Sequence, residues 1–315
     1  MRITPWELHV DEPDFYEVLY SRDSPRDKYK FYANMFGHPE AMIAALDHNR
    51  HRMLRANMNP YFSMRRIRSL EPDIQNLVKK LVKRLNDFKG TGVPLTIQYP
   101  FTCYSTDTIT SYTMGSGFQY LDSPDFAPDW SNTLSSFAKM SAVLKPMPWI
   151  GKIMDSLPQG LVTKMNPGMA LMFAWQARCH TIIQSVLKAY KKGELKQEPD
   201  TRPTFFHDIV TSELPEREKT EERLAQELQI VVAAGAETVA KFLSWTTYFL
   251  LENPEKLEKL KQELNRLDPD RTATLVELEN MPYLVGRSPF KYSAALTTAI
   301  RPQSCSKVSG RKPVA

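Results

Sequence analysis

Residues 227–251, ELQIVVAAGAETVAKFLSWTTYFLL, set an acid and an alcohol side by side inside an apolar run. Glu237 can exchange a proton, and Thr238 can both donate and accept a hydrogen bond. Ala233, Ala234, Gly235 and Ala236 beside them carry almost no side chain, so something flat and bulky can approach the backbone there. A second candidate lies in DHNRHRMLRANMNPYFS, residues 47–63, where Arg50, His51, Arg52 and Arg55 cluster. His51 and Arg55 are four residues apart and project from one helical face. Two donors so placed grip carboxylates through charge-assisted hydrogen bonds. Asp47, His48 and His51 have the donor types of a metal site, but no third cluster completes it. The commoner meaning of such a run is a solvated basic helix face.

These residues need helices to position them. Ile230, Ala234, Glu237, Thr238, Lys241 and Trp245 fall at spacings of three and four and share a face. A glycine inside that helix costs about 1 kcal/mol against alanine and so needs a reason. The Thr238 hydroxyl can bond back to the Ala234 carbonyl and loosen the helix there. The competing explanation is close packing of a buried helix, and these residues alone favour it. Residues 71–88 predict an amphipathic core helix with a stripe of Ile74, Leu77, Val78, Leu81, Val82, Leu85 and Phe88, ended by Gly90 and Gly92. Asn253 with Pro254 predicts the cap of another helix, buried along Leu257, Leu260 and Leu264. Asp14 is placed to cap a short helix carrying Phe15, Val18 and Leu19. Residues 135–172 are rich in Pro, Met and aromatics, and residues 191–204 read as a loop.

At 315 residues with 42% hydrophobic and 24% charged residues, the chain has ordinary globular composition and length for one or two domains. A net charge of +5 without a long basic block does not suggest nucleic acid. The three cysteines, Cys103, Cys179 and Cys305, lack metal spacing and suit a reducing compartment. Gly115-Ser116-Gly117 is neither a nucleophile elbow nor a phosphate loop, because the flanking strand and the lysine are missing.

AAGAETVA resembles the oxygen-pocket helix of cytochromes P450, which carries A-G-x-[DE]-T. The 47–63 run is similar to the C helix of the filamentous-fungal members, H-x-x-H-R-x-x-R-x-x-x-N-P-x-F-S. MRITPWELHVDEPDFY resembles the start of their catalytic domain, residues 204–223 their lead into the oxygen-pocket helix, and residues 253–267 their J helix. The resemblance spans residues 1 to about 284 and implies a mainly α, incomplete P450 fold with a small N-terminal β portion. It implies haem b as cofactor, with His51 and Arg55 on the propionates, Ala234 and Gly235 in the oxygen pocket, and Glu237 and Thr238 as the catalytic proton pair. It makes 135–172 the substrate-access segment. The implied activity is hydroxylation or epoxidation of an apolar small molecule in secondary metabolism, fed by NADPH–cytochrome P450 reductase at the cytosolic face of the endoplasmic reticulum membrane.

The chain departs from the pattern at both ends. Met1 falls almost inside the opening motif, and no apolar run of signal or membrane-span length precedes it, which reads as a missing anchor and a cytoplasmic chain. After LENMPYL no Asp or Glu follows Glu279, so the family's E-x-x-R cannot form. Around Cys305 the positions of F-x-x-G-x-R-x-C-x-G hold Thr298, Arg301, Gln303 and Lys307, which makes Cys305 a poor axial ligand and leaves no metal ligand to name. Residues 285–315 resemble a shifted reading frame or a disordered tail. The expectation is a truncated chain, inactive by itself, with apolar surface exposed on the central helix; the alternative is a non-catalytic helical remnant or binding module.

Overall fold

The computed structural model describes residues 1–286 except 22, 34, 167, 195–203 and 270–271. The expected tail therefore lies, from residue 287 on, outside the described residues, as does Cys305. A short antiparallel hairpin, β1 (Arg2–Thr4) and β2 (Glu7–Leu8), opens the chain and is the small β portion expected. Helices follow: α1 (Phe15–Leu19), α2 (His48–Met58), α3 (Met64–Arg68), α4 (Glu71–Asp87) and α5 (Gln98–Met114). Then come α6 (Pro128–Leu144), α7 (Trp149–Ser156), α8 (Gln159–Met165), α9 (Met169–Lys191) and α10 (Phe205–Thr211). Last are α11 (Glu221–Glu252), α12 (Pro254–Leu267) and α13 (Leu275–Glu279). The fold is mainly α. Among the described residues no helix is long and apolar enough to cross a membrane.

The main core gathers one stripe from each of four helices around α11. Leu54 and Met58 come from α2, Trp130, Leu134 and Phe137 from α6, and Trp175, Cys179 and Ile183 from α9. Phe205, Phe206 and Ile209 come from α10, against Leu224, Leu228, Val232 and Ala236 of α11. A smaller cluster joins Leu81 of α4 and Cys103 of α5 to Leu121 and Phe126. Both cysteines are buried thiols, and burial pushes each up to about 12.

Several sequence expectations need correction. Val82 is exposed and only Leu81 of its helix is fully buried, because α4 packs one narrow line against α5. No residue of α12 is fully buried, so Leu257, Leu260 and Leu264 are a half-covered stripe. Asn253 holds the cap position with Pro254 at the first turn, but its side-chain amide donates 2.7 Å back to the Phe249 carbonyl. Asp14 sits at the head of α1 without a side-chain cap bond.

The long helix α11 is two-natured. Its first half is sealed, with Leu224, Leu228, Val232 and Ala236 all at 0% exposure. Its second half shows Phe242, Trp245, Tyr248 and Leu251 at 57%, 59%, 51% and 65% exposure. Large apolar side chains in such a row are far more exposed than a covered helix allows, as expected for the central helix.

Gly235 explains how the sealed half is held. A Cβ built there would lie 2.7 Å from Cγ1 and 3.0 Å from Cβ of Ile109 on α5. The packing reading of this glycine is therefore correct: α5 and α11 approach too closely for any side chain. Two effects oppose each other in Gly235→Ala. Helix propensity favours alanine by about 1 kcal/mol, whereas overpacking costs about 1–3 kcal/mol. The colliding atoms belong to a β-branched stem that cannot swing away, so overpacking wins. Gly235→Ala is expected to lower the denaturation midpoint in urea. The same change in an Ile109→Ala background should cost less than in the parent, a coupling that a double-mutant cycle reads directly. A stabilised single variant would show that the two helices are not in this contact.

Candidate functional site

The centre of α11 is shaped by two hydroxyls. Thr238 Oγ1 donates 2.7 Å to the Ala234 carbonyl, the back-bond expected from the sequence. Ser105 Oγ of α5 donates 2.7 Å to the Ala236 carbonyl, across the close seam at Gly235. Two carbonyls in one turn thus carry an extra donor besides the helix ladder, which softens the helix there. Ala234 and Thr238 are both exposed on the open side. Gly235 is turned toward Ile109 and is half-buried.

Glu237 faces inward and is buried. Its Oε1 accepts 2.9 Å from Ser135 Oγ of α6 and 2.7 Å from Lys241 Nζ one turn on. Its Oε2 is buried with no hydrogen-bond partner. The structure therefore splits the predicted pair: Thr238 lies with Ala234 on the open face, and Glu237 lies against α6.

The basic helix α2 starts at Asp47, whose carboxylate accepts 2.6 Å from the Arg50 backbone as the N-cap. Among the described residues no group of three or more His, Cys, Asp or Glu could hold a metal. Arg50 points into the protein and grips Glu218 with two bonds of 2.9 and 3.1 Å. Glu218 also meets Arg223 Nε at 3.3 Å, and Arg223 Nη2 meets Glu227 Oε2 at 3.3 Å. Glu227 accepts 2.9 Å from the Met42 backbone, Gln226 accepts 2.9 Å from the Glu40 backbone, and Gln229 bonds His38 at 2.7 Å. Burial opposes both charges of the deepest pair, lowering the Arg223 pKa and raising that of Glu227. This network ties the segment before α2 to the first turns of α11.

His51 and Arg55 of α2 stay out of the network. Among the described residues the His51 and Arg55 side chains have no hydrogen-bond or ion-pair partner. His51 is half-buried, and its pKa is lowered by burial first and then by Lys28, Arg55 and His48. Lys28, His48 and Arg55 thus place positive charge around His51, and no acid among the described residues pairs the His51 or Arg55 side chain, which suits an acidic ligand group arriving from outside.

Sequence reasoning did not find Ser105, Ser135, Ile109 or the Arg223–Glu227 pair. The last left a signal, an acid four residues after an arginine inside an apolar helix. The three others contact α11 from more than a hundred residues away, and their types are unremarkable.

A haem, judged against these residues, finds two of its three needs. His51 and Arg55 are unpaired donors that suit its propionates, and Ala234 with Thr238 offers a small-residue face for its oxygen side. The axial thiolate is not found among the described residues, since Cys103 and Cys179 are fully buried and held protonated.

Comparison with known proteins agrees with this pattern. The family model for cytochrome P450 matches residues 8–286. A cytochrome P450 monooxygenase of Ascocoryne sarcoides is 39% identical over 296 residues, covering 91% of this chain and 58% of that protein. A tryptophan 6-hydroxylase of Fusarium equiseti is 33% identical over 287 residues, covering 90% of this chain and 56% of that protein. An N-acetyltryptophan 6-hydroxylase of Emericella nidulans is 31% identical, covering 90% of this chain and 56% of that protein. The chain thus spans somewhat over half the length of these relatives.

The basic cluster around His51 has a pH signature. The His51 pKa is below its ordinary 6.5 in the folded chain. Above pH 6.5 the imidazole is neutral in both states and its share of stability is intact. As pH falls through the lowered folded value, the unfolded chain binds the extra proton first and that share is lost. Imidazole resonances followed by NMR should show His51 titrating below 6.5 and moving upward in Arg55→Gln. An unmoved midpoint in that variant would show that the two side chains do not share a site.

Proposed function

The chain belongs to the cytochrome P450 family, and on that footing we propose that residues 1–286 form the propionate-binding and oxygen-facing part of a haem-dependent monooxygenase of fungal secondary metabolism. The observation that carries this reading is the open face of α11, where Ala234 and Thr238 lie exposed beside an apolar row and the Thr238 hydroxyl is held on the Ala234 carbonyl. His51 and Arg55 would hold the haem carboxylates. Ala234 leaves room over the oxygen side, Gly235 lets α5 fix the helix that carries it, and Thr238 offers a hydroxyl there. Glu237, next in the chain but buried, is the proton reservoir. Haem b, when bound through a thiolate, activates dioxygen because the ligand pushes electron density toward O–O cleavage.

The substrate class is an apolar small molecule, hydroxylated or epoxidised. Exposed Met147, Trp149, Ile153, Leu161 and Met165 in and around α7 and α8 support an apolar approach. The relatives named as tryptophan and N-acetyltryptophan 6-hydroxylases make aromatic hydroxylation the first chemistry to assay. Electrons would come from NADPH–cytochrome P450 reductase at the cytosolic face of the endoplasmic reticulum. A second reading, a non-catalytic remnant, is favoured by the burial of Cys103 and Cys179, which leaves residues 1–286 without a thiolate to offer. On that reading the 315-residue chain is inactive by itself.

Purified chain supplied with haem should bind it, and His51→Ala and Arg55→Ala should each weaken retention roughly tenfold or more, the value of a lost charge-assisted bond. Retention indifferent to both substitutions would remove the propionate assignment. After reduction and exposure to carbon monoxide, no red-shifted thiolate-type Soret band is expected. Such a band, if abolished by Cys305→Ser, would overturn the non-catalytic reading and make the chain a working monooxygenase.

A further inference from the structure

We propose that Ser135 and Lys241 are positioning residues that pin one carboxylate oxygen of Glu237 so that the other stays open for proton exchange. The inference rests on reading Glu237 as the proton reservoir of the α11 site. The geometry is asymmetric. Oε1 takes both donors, Ser135 Oγ at 2.9 Å from α6 and Lys241 Nζ at 2.7 Å from the next turn of α11. Oε2, in a side chain more than nine-tenths buried, has none.

An ionised carboxylate has about four acceptor directions, and a buried oxygen left empty costs free energy unless something transient uses it. Here Oε1 takes two donors and Oε2 none, which leaves one defined atom on which a proton can be accepted and released. The backbone of α11 cannot fill the gap, since its amides are committed to the helix ladder.

The two donors play different parts. Lys241 is about half exposed and shares the helix with Glu237, so it follows any movement of α11 and mainly offsets charge. Ser135 sits on α6, which leads into the Pro-, Met- and aromatic-rich segment that continues through α7 and α8. The Ser135 bond therefore couples the setting of that segment to the rotamer of Glu237. An α6 drawn away from α11 would release Oε1 and let the carboxylate turn.

Isotope-edited infrared spectroscopy on the full chain reads this directly and needs no haem. Glutamate labelled at the side-chain carboxyl, with Glu237→Gln as the blank, isolates the two carboxylate stretches of Glu237. Coordination through one oxygen holds these stretches far apart, and evening out the two oxygens draws them together. Ser135→Ala is expected to narrow the separation, and Ser135→Thr, which keeps the hydroxyl, to restore it at an unchanged melting temperature. Lys241→Met should also narrow it, since Oε1 then keeps only the neutral Ser135 donor. A separation untouched by Ser135→Ala and Lys241→Met would overturn the proposal, whatever haem does. Failure of the chain to bind haem through His51 and Arg55 would instead overturn the reading of the site on which it rests, and leave the infrared result unchanged.

Discussion

The constraint on which the structure depends is the close approach of α5 and α11 at Gly235. Ile109 fills the space a side chain would need, and Ser105 bonds the Ala236 carbonyl across the same seam. Helices this near cannot rotate past one another, because interiors are close-packed and resist small displacements. With α5 fixed on one side, the helix periodicity decides what the other sides show. Ala234 and Thr238 are turned outward, and Glu237 is turned to α6. A small residue thus acts at a distance, by setting the angle at which its neighbours are presented.

The charge network does the corresponding work along the helix axis. Arg50, Glu218, Arg223 and Glu227 bring four charged groups together, three of them almost wholly buried. Taking such charges from water is costly, and an apolar cluster of similar volume often gives equal or better stability. What the network adds is register. It allows the segment before α2 only one seat on α11, and so sets the helix bearing His51 and Arg55. Arg50 is consumed by this task, whereas the His51 and Arg55 side chains on the same helix are left without an acid partner among the described residues.

Much of this was legible in the sequence. The i, i+4 pair His51 and Arg55, the back-bond from Thr238 and the helix over 227–251 all follow from local spacing and composition, and the structure shows each. The mainly α fold with its small β hairpin also followed, through motifs that resemble the family's. What stayed hidden was whatever depends on a distant partner. Ser135 lies 102 residues from Glu237 and Ser105 lies 131 residues from Ala236. Serine is common on helix surfaces, and nothing local distinguishes these two. The overestimated stripes on α4 and α12 have the opposite cause. Periodicity says which residues share a face, but only a neighbouring element decides whether that face is covered.

Helix α11 is clamped along its first half and open along its second. Amide hydrogen exchange along 221–252 of the chain without haem tests this most directly. Residues 224–237 should exchange at rates near those of global unfolding, and residues 242–252 should exchange faster by one or more orders of magnitude. Uniform protection along the whole helix would contradict the account, because it would mean that something already covers the face carrying Phe242, Trp245 and Tyr248.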